Sequence, residues 1–432
     1  MKLLGSMEII DNNLYIGGNN TLDLVKEYGT PLFVIDEEYI RSNCRRYYKA
    51  FKVEEYGNKV AYAGKAFLTL AMCQIIKEEG LNLDVVSGGE LYTAYKSGFP
   101  MERVYFHGNN KTYEEISMGV KLGVGRFVVD NLSELNIIND LAEKQGRAQD
   151  ILLRITPGIE AHTHSYIKTG QVDSKFGFTI LENNAMNVIK KALELSNINL
   201  VGLHCHIGSQ IFETKAYEEE ADIMINLVKD IKDKLNYPIL ELNLGGGFGI
   251  YYKEGDTPKT IESFCEVILN RVYHTSKSLG LEIPKLVIEP GRSIVGNAGI
   301  TLYTVGAIKE IPNIRKYVSV DGGMTDNIRP SLYNAEYECF IANKAERTSN
   351  DKVTISGKCC ESGDVLMSDI RIPEVEQGDI LAVLSTGAYC YSMSSNYNKI
   401  PKAPVVSVKN GTSRVICRRE TYEDIIRNEL AL

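Results

Sequence analysis

The sequence predicts an α/β protein in which a (β/α)8 barrel of the TIM type is followed by a C-terminal β domain. Three observations indicate this fold. Eight short apolar runs rich in β-branched residues recur along the chain, amphipathic segments separate them, and after about residue 296 strand-like runs follow one another without helices. The length agrees, because 432 residues exceed what one hydrophobic core usually organises.

The predicted barrel domain occupies residues 37–295. Its eight strands are Lys59–Ala63, Leu83–Val86, Val104–His107, Arg126–Val129, Ile151–Ile155, Leu200–His206, Leu240–Leu244 and Lys285–Glu289. The helices predicted between them are Thr69–Glu79, Thr112–Leu122, Ser133–Gln145, Asn183–Leu195, Tyr217–Leu235 and Ile261–Leu279. Alternation of strand and helix favours parallel strands joined by helical crossovers, and eight such units can close into a barrel.

The C-terminal β domain is predicted over residues 296–432. Its strand-like runs are Leu302–Ile308, Tyr317–Val320, Val353–Ser356, Ile380–Leu384 and Val405–Lys409. The N-terminal segment, residues 1–36, carries two similar runs, Leu14–Ile16 and Leu32–Ile35. We expect this segment to pack with the β domain, since it precedes the first barrel strand.

Charge and composition exclude several classes of function. The formal net charge is −8 and no cluster of Lys and Arg appears, which argues against a nucleic-acid binder and favours a small-molecule partner. No apolar run reaches membrane-spanning length, and the first ten residues do not resemble a signal peptide. Nine cysteines without a CxxC pair indicate free thiols in a reducing compartment. We therefore expect a cytoplasmic protein.

Four polar or glycine-rich motifs stand at the ends of predicted barrel strands. Tyr62–Ala66 (YAGKA) follows the first strand, His204–Gln210 (HCHIGSQ) ends the sixth, Gly245–Gly249 (GGGFG) follows the seventh, and Glu289–Arg292 (EPGR) ends the eighth. The carboxyl ends of barrel strands meet at one rim, where catalytic groups of this architecture lie. The motifs should therefore face one pocket.

Two features of this rim indicate pyridoxal phosphate (PLP). A glycine triplet alone is a weak signal, but together with Arg292 in the loops after strands seven and eight it indicates a phosphate site. Lys65 has apolar neighbours at the same rim, where a lysine is suited to form an imine; an ordinary solvated lysine is the alternative. A phosphate site beside an imine-forming lysine predicts PLP.

The histidines of the sixth strand leave a metal site as a rival interpretation. His204 and His206 alternate on the strand and face the same way, and His162 and His164 would complete a set of four ligands. These histidines share the rim with a phosphate signature, however. We favour an imidazole stacked on a cofactor ring and expect no bound metal.

Together with three motifs of the second half, these residues resemble the fold-type III PLP-dependent decarboxylases over essentially the whole chain. The additional motifs are Met324–Tyr333, Cys360–Asp364, and Gly387–Tyr389 followed by Ser392–Asn398. The resemblance implies an alanine-racemase-like barrel with PLP as the cofactor. Lys65 would carry PLP covalently, His206 would stack on its ring, and Glu289 would pair with the pyridine nitrogen. The remaining cofactor contacts would be Ser209, Gly245, Gly246, Gly247, Gly291, Arg292 and Tyr389.

The resemblance also implies a substrate, meso-2,6-diaminopimelate, which would be decarboxylated to L-lysine and CO2 in the last step of lysine biosynthesis. Its contacts would be Arg292, Arg329, Tyr333, Glu361 and Tyr389. Arg329 and Tyr333 would bind the distal carboxylate and Glu361 the distal ammonium. Cys360 would donate the proton that replaces the lost carboxylate. The Cys360 loop would come from a partner subunit, which implies an obligatory homodimer.

Some alternatives stay open at this point. Within the enzyme class, the rivals are a decarboxylase of another basic amino acid or of a carboxylated polyamine, and a racemase on the same barrel. Outside it, the rival is a catalytically silent PLP-binding regulatory homologue. Phe67 stands where the family usually has Asn, His204 is interpreted as a structural histidine, and Cys359 and Asp364 have no assigned role.

Overall fold

The computed structural model describes residues 2–159 and 173–432. Its strands are β1 Glu8–Ile10, β2 Asn13–Ile16, β3 Asn19–Asn20, β4 Leu32–Asp36, β5 Lys59–Ala63, β6 Asn82–Val85, β7 Val104–Phe106, β8 Arg126–Val129, β9 Gln149–Thr156, β10 Phe178–Thr179, β11 Ile198–His204, β12 Glu241–Asn243, β13 Lys285–Ile288, β14 Gly299–Ile311, β15 Arg315–Val320, β16 Cys339–Ile341, β17 Asp351–Ser356, β18 Val365–Ile372, β19 Ile380–Val383, β20 Val405–Lys409 and β21 Thr412–Cys417. Its α-helices are α1 Thr21–Tyr28, α2 Glu37–Ala50, α3 Val53–Tyr56, α4 Leu70–Glu78, α5 Gly88–Lys96, α6 Tyr113–Leu122, α7 Leu132–Lys144, α8 Asn184–Glu194, α9 Lys215–Leu235, α10 Ile261–Ser278, α11 Arg292–Val295, α12 Arg329–Tyr333 and α13 Tyr422–Ile426.

One compact unit, residues 43–249 and 258–293, is the barrel. Eight parallel strands pair in the order β9, β11, β12, β13, β5, β6, β7 and β8, and β8 pairs with β9 again, so that the sheet closes. Buried side chains from six of these strands fill the interior: Ala61, Tyr105, Val128, Leu152, Val201 and Val287. The (β/α)8 fold predicted from the sequence is confirmed.

The barrel helices begin at residues that can satisfy unpaired backbone N–H groups. The capping side chains of α4, α5, α6, α7 and α10 each accept a hydrogen bond from a backbone N–H of the first turn; they are Thr69, Ser87, Thr112, Asn131 and Thr260. Helix α5 was not predicted from the sequence, because its first residues, Gly88 and Gly89, are typical of a loop. The Ser87 cap fixes where it begins.

The second compact unit contains residues 2–42, 250–257 and 294–432. Its main sheet is organised by the long strand β14, which pairs with β4, β15 and β19. The N-terminal strand β4 runs antiparallel to β14 and parallel to β20, and all five of its residues are buried. The N-terminal segment is thus part of the sheet that the C-terminal β strands form.

The sequence contained no signal that residues 250–257 would belong to the second unit. The segment follows the GGGFG motif, in a region where the sequence predicted a continuous barrel domain. The domain boundaries at residues 37 and 296 stay a prediction. No helix in the described ranges is both long and apolar enough to cross a membrane.

A buried acid lies on α9 of the barrel unit. Glu220 is fully buried, and its Oε1 accepts a hydrogen bond from Cys205 Sγ at 3.0 Å. Its Oε2 has no hydrogen-bond partner among the described residues. Burial raises the pKa of the Glu220 carboxyl to about 8, so it is protonated at neutral pH.

This carboxyl should make stability depend on pH. Its pKa is about 8 in the folded chain against 4.5 ordinarily, so its contribution is full below the ordinary pKa and is lost as the pH rises towards 8. The free energy of unfolding should fall over that window by at most about 1.4 kcal/mol per pH unit. In Glu220→Gln this slope should be shallower, as urea denaturation from pH 5 to 8 would measure. Glu219→Gln, at an exposed position of the same helix, is the control; equal slopes in wild type and Glu220→Gln would contradict the assignment.

Candidate active site

A buried carboxylate occupies the centre of the barrel rim. Glu289 directly follows β13, and its side chain accepts three hydrogen bonds, from His107 Nε2 at 2.8 Å, His204 Nε2 at 3.2 Å and Asn243 Nδ2 at 2.7 Å. Burial opposes ionisation of this carboxyl, but its interactions with His107 and His204 outweigh that effect and hold its pKa well below the usual range. Glu289 is therefore an anion suited to pair with a cationic N–H.

His204 has a part in this site that the sequence analysis did not foresee. Burial lowers the pKa of His204 to about 3, so the ring is neutral and donates its Nε2–H to Glu289. The interpretation of His204 as a structural histidine stays a prediction; the structure adds that its hydrogen-bond partner is Glu289. His107 and Asn243 were also missed, although both stand at the carboxyl ends of strands, which is the signal that finds them.

The lysine of the YAGKA motif lies at the same rim as two carboxyl groups. Lys65 is exposed and sits in a short 3₁₀ turn after β5, between buried neighbours. Burial raises the pKa of Asp84 to about 6 and that of Glu90 to about 7, and the positive charge of Lys65 partly opposes both shifts. Neither carboxyl was identified from the sequence. Carboxyl groups near a lysine can exchange protons with its amine.

The glycine triplet permits backbone approach that any other residue would block. Gly245 and Gly247 have φ angles of 61° and 100°, which favour glycine. A Cβ atom on Gly246 would overlap the carbonyl oxygen of Glu289. The Gly246 N–H donates to His206 Nδ1 at 3.3 Å, which leaves Nε2 to carry the proton of the neutral ring. Desolvation and the charge of Lys65 lower the pKa of His206 well below its usual value, so this ring is neutral.

Arg292 and Ser209 complete an anion site in the barrel unit. Arg292 Nη2 donates to Ser209 Oγ at 2.8 Å, and Arg292 is almost fully buried. Gly291 lies so close to Ala63 that a Cβ would sit 3.0 Å from its Cβ and its carbonyl oxygen. The structure thus brings together the barrel residues that the sequence assigned to the cofactor.

The metal interpretation is not favoured by this geometry. His107, His204 and Glu289 do place possible ligand atoms within 4.8 Å of one another, but they are already joined by hydrogen bonds. His206, the expected partner of His204, accepts the Gly246 N–H instead. The other two histidines of that hypothesis, His162 and His164, lie outside the described residues.

The second unit holds the predicted Cys360 loop in place through Asp364. The Asp364 carboxylate accepts the backbone N–H groups of Met324, at 2.7 Å, and of Cys359, at 2.8 Å. Its backbone carbonyl accepts the Gly357 N–H at 3.0 Å. Asp364, left open by the sequence, therefore clamps the loop that presents Cys360.

Apart from Arg292, the side chains expected to contact the substrate lie on short segments of the second unit. Cys360 and Glu361 are exposed. Arg329 and Tyr333 begin and end α12, which is joined to the Cys360 loop by a hydrogen bond of 2.7 Å from Ser331 Oγ to the Gly363 carbonyl. Tyr389, assigned to both cofactor and substrate, has a φ of 61°, an uncommon conformation for a large side chain that often marks functional sites.

The donor set of the barrel fits PLP. Arg292, Ser209 and the side-chain-free backbone at Gly245–Gly247 suit a phosphate, ionised Glu289 suits a protonated ring nitrogen, and the neutral ring of His206 suits a flat heterocycle. An amine for covalent attachment is present at Lys65.

Comparison with known proteins agrees with this site. Residues 37–296 match the pyridoxal binding domain of pyridoxal-dependent decarboxylases. The chain is 50% identical to diaminopimelate decarboxylase of Bacillus subtilis over 97% of its own length and 95% of the relative. It is 46% identical to that of Staphylococcus aureus, over 97% and 98% of the two chains. The diaminopimelate decarboxylase of M. jannaschii in complex with L-lysine superposes with a TM-score of 0.94 at 38% identity, covering 100% of this chain and 99% of that chain. The match identifies PLP as the cofactor.

The glycine loop provides a test of where PLP binds. Gly246→Ala should lower the affinity for PLP by at least about a hundredfold, because the added methyl displaces the loop from the Glu289 backbone. Titration of the apoenzyme, followed by visible absorbance, measures this. Gly89→Ala is the control, since a Cβ there meets nothing closer than 3.8 Å. Equal PLP affinities in the two variants would show that the glycine loop is not part of the cofactor site.

Proposed function

The chain belongs to the pyridoxal-dependent decarboxylases, and we propose that its site decarboxylates meso-2,6-diaminopimelate to L-lysine and CO2, the last step of lysine biosynthesis. One observation above all carries the chemistry: Glu289 is a buried anion held by three donors at the rim of the barrel. Such a carboxylate keeps a proton on a pyridine nitrogen. The relatives that are 50% and 46% identical to the chain are named diaminopimelate decarboxylase.

We assign the barrel residues to the cofactor. Bound PLP supplies an electron sink for the electron pair that is released when the bond to the leaving carboxylate breaks. Lys65 would attach it covalently, and Glu289 would hold the proton on its ring nitrogen. The neutral ring of His206 would pack on its face without adding a competing charge.

The phosphate would be held by the anion site of the barrel. Arg292 and Ser209 are already oriented by their mutual hydrogen bond. The backbone of Gly245, Gly246 and Gly247 can approach phosphate oxygens where a side chain would prevent it. We also propose contacts from Gly291 and Tyr389.

We assign residues of the Cys360 loop and of α12 in the second unit to the substrate. The Sγ–H of Cys360 would deliver a proton to the carbon that loses CO2, so that one proton replaces one carboxylate. Arg329 and Tyr333 would bind the carboxylate that the substrate keeps, and Glu361 its ammonium group. Arg292 and Tyr389 would contact the substrate as well.

A homodimer with shared sites is part of this proposal. Cys360 and Glu361 stand exposed on a clamped loop, which suits them to enter the site of a partner. We also propose a cytoplasmic location, because all nine cysteines are free thiols, as expected in a reducing compartment.

Turnover of the natural substrate tests the function directly. Wild-type enzyme loaded with PLP should release CO2 from meso-diaminopimelate and form L-lysine in equal amounts, as measured by CO2 capture and chromatography. Lys65→Ala should lose at least about 1000-fold in kcat, because the amine that attaches PLP is gone, whereas exposed Lys121→Ala should not. Preferred release of CO2 from ornithine or lysine would favour the rival decarboxylases, and none from any amino acid would favour a silent homologue.

Shared sites can be tested by mixing two inactive variants. Lys65→Ala and Cys360→Ala homodimers should each be inactive, but subunit exchange should create heterodimers with one intact site of two. Activity should return to about a quarter of the wild-type value, because random exchange makes half of the dimers mixed. Lys65→Ala mixed with itself is the control. Mass spectrometry should first show that subunits have exchanged. If activity still does not return, both residues belong to the site of the same chain.

A further inference from the structure

The guanidinium of Arg329 is enclosed by two tyrosine rings of the same unit. Its Cζ lies 5.0 Å from the centre of the Tyr252 ring and 5.6 Å from that of Tyr337. The two rings meet edge to face, with their centres 5.3 Å apart. All three residues are buried, with exposed fractions of 7%, 5% and 5%. We call this group, Arg329 with Tyr252 and Tyr337, the arginine cage.

The cage leaves the charge of Arg329 without a carboxylate partner in the described part of the chain. Arg329 Nη1 donates a hydrogen bond to the Tyr337 hydroxyl. Removing a guanidinium from water is unfavourable, and buried charges are normally paired with an opposite charge. Attraction to the ring faces and the phenolic oxygen offsets part of this penalty. The positive charge therefore suits an anion that comes from outside the chain.

The segment that carries Tyr252 is fixed next to Tyr337. The Tyr251 hydroxyl and the Glu254 backbone N–H each donate to Glu338 Oε1 at 2.9 Å. Because Glu338 follows Tyr337 in the chain, one carboxylate ties both sides of the cage together. Because residues 250–257 belong to this unit, they place the Tyr252 ring against the guanidinium of Arg329.

We infer that Tyr252 and Tyr337 are positioning residues that fix Arg329 for a carboxylate and so set the preference for dicarboxylic diamino acids. The inference rests on the proposed function, in which Arg329 binds the carboxylate that the substrate keeps. The Tyr337 hydroxyl occupies Nη1, and the rings restrict the plane of the guanidinium. Its other N–H groups are then oriented for a carboxylate before the substrate arrives, which reduces the entropy lost on binding.

Two ligands that differ by one carboxylate isolate this effect. Decarboxylation removes one of the two carboxylates of meso-diaminopimelate, so L-lysine retains the carboxylate that Arg329 would bind. Cadaverine is L-lysine without that group. The ratio of their inhibition constants in the holoenzyme therefore measures carboxylate recognition, whereas general damage to the site would weaken both ligands.

The variants separate ring from hydroxyl. Tyr337→Phe removes the acceptor of the Nη1 bond, and Tyr252→Leu removes a ring face. Each variant should raise the inhibition constant of L-lysine and the KM for meso-diaminopimelate about tenfold. The inhibition constant of cadaverine and kcat should change less than about twofold, and the visible spectrum should stay the same. Tyr252→Phe should recover most of the loss seen in Tyr252→Leu. Tyr317→Leu is the matched control, because Arg315 stacks on that ring at 5.8 Å but at an exposed position, where it pairs with Asp369.

The outcomes distinguish this inference from the function on which it rests. Arg329→Ala should abolish the preference for L-lysine over cadaverine. If it does, while Tyr337→Phe and Tyr252→Leu keep the wild-type ratio, the positioning role is wrong and the function stands. A parallel weakening of both ligands in the tyrosine variants would also refute the role, since it indicates general damage. If the wild type does not act on meso-diaminopimelate, both proposals fail.

Discussion

The arrangement of polar side chains at the rim of the barrel depends on one buried carboxylate, Glu289, that stays ionised. An isolated anion in this interior would take up a proton, but Glu289 accepts N–H bonds from three side chains that stand on or just after three other strands. Closure of the sheet brings these strands together, so the fold itself creates the charge state. Neutral His204 is an essential part of this arrangement, because its Nε2–H donates a hydrogen bond to the Glu289 carboxylate.

The glycine loop Gly245–Gly247 is joined to the same network through Asn243. Its amide donates to Glu289, while its Oδ1 accepts the Gly245 N–H at 2.9 Å. The Glu289 N–H in turn donates to the Gly245 carbonyl at 2.6 Å. Hydrogen bonds between adjacent strand ends therefore fix Glu289, proposed to pair with the ring nitrogen, relative to the glycine loop proposed to bind the phosphate. A rigid cofactor with charges at both ends requires such a fixed separation.

In the second unit, by contrast, the candidate site residues lie on loops with little regular structure. The Cys360 loop obtains its shape from a buried carboxylate, Asp364, that accepts backbone N–H groups from two segments. Cys360 N–H donates to Asn398 Oδ1 at 2.8 Å, which ties the loop to a third motif. These bonds allow exposed reactive groups to be held without burying them.

The sequence by itself determined the eight barrel strands, most of the helices and the cofactor, because hydrophobic periodicity and motifs at strand ends are local signals. It did not reveal His107, Asn243 or the place of His204, whose roles depend on a carboxylate far away in the chain. Nor did it indicate that residues 250–257 leave the barrel to supply the Tyr252 ring to Arg329. Those features arise from contacts between distant segments, and such contacts form only when the chain has folded, so only the tertiary structure decided them.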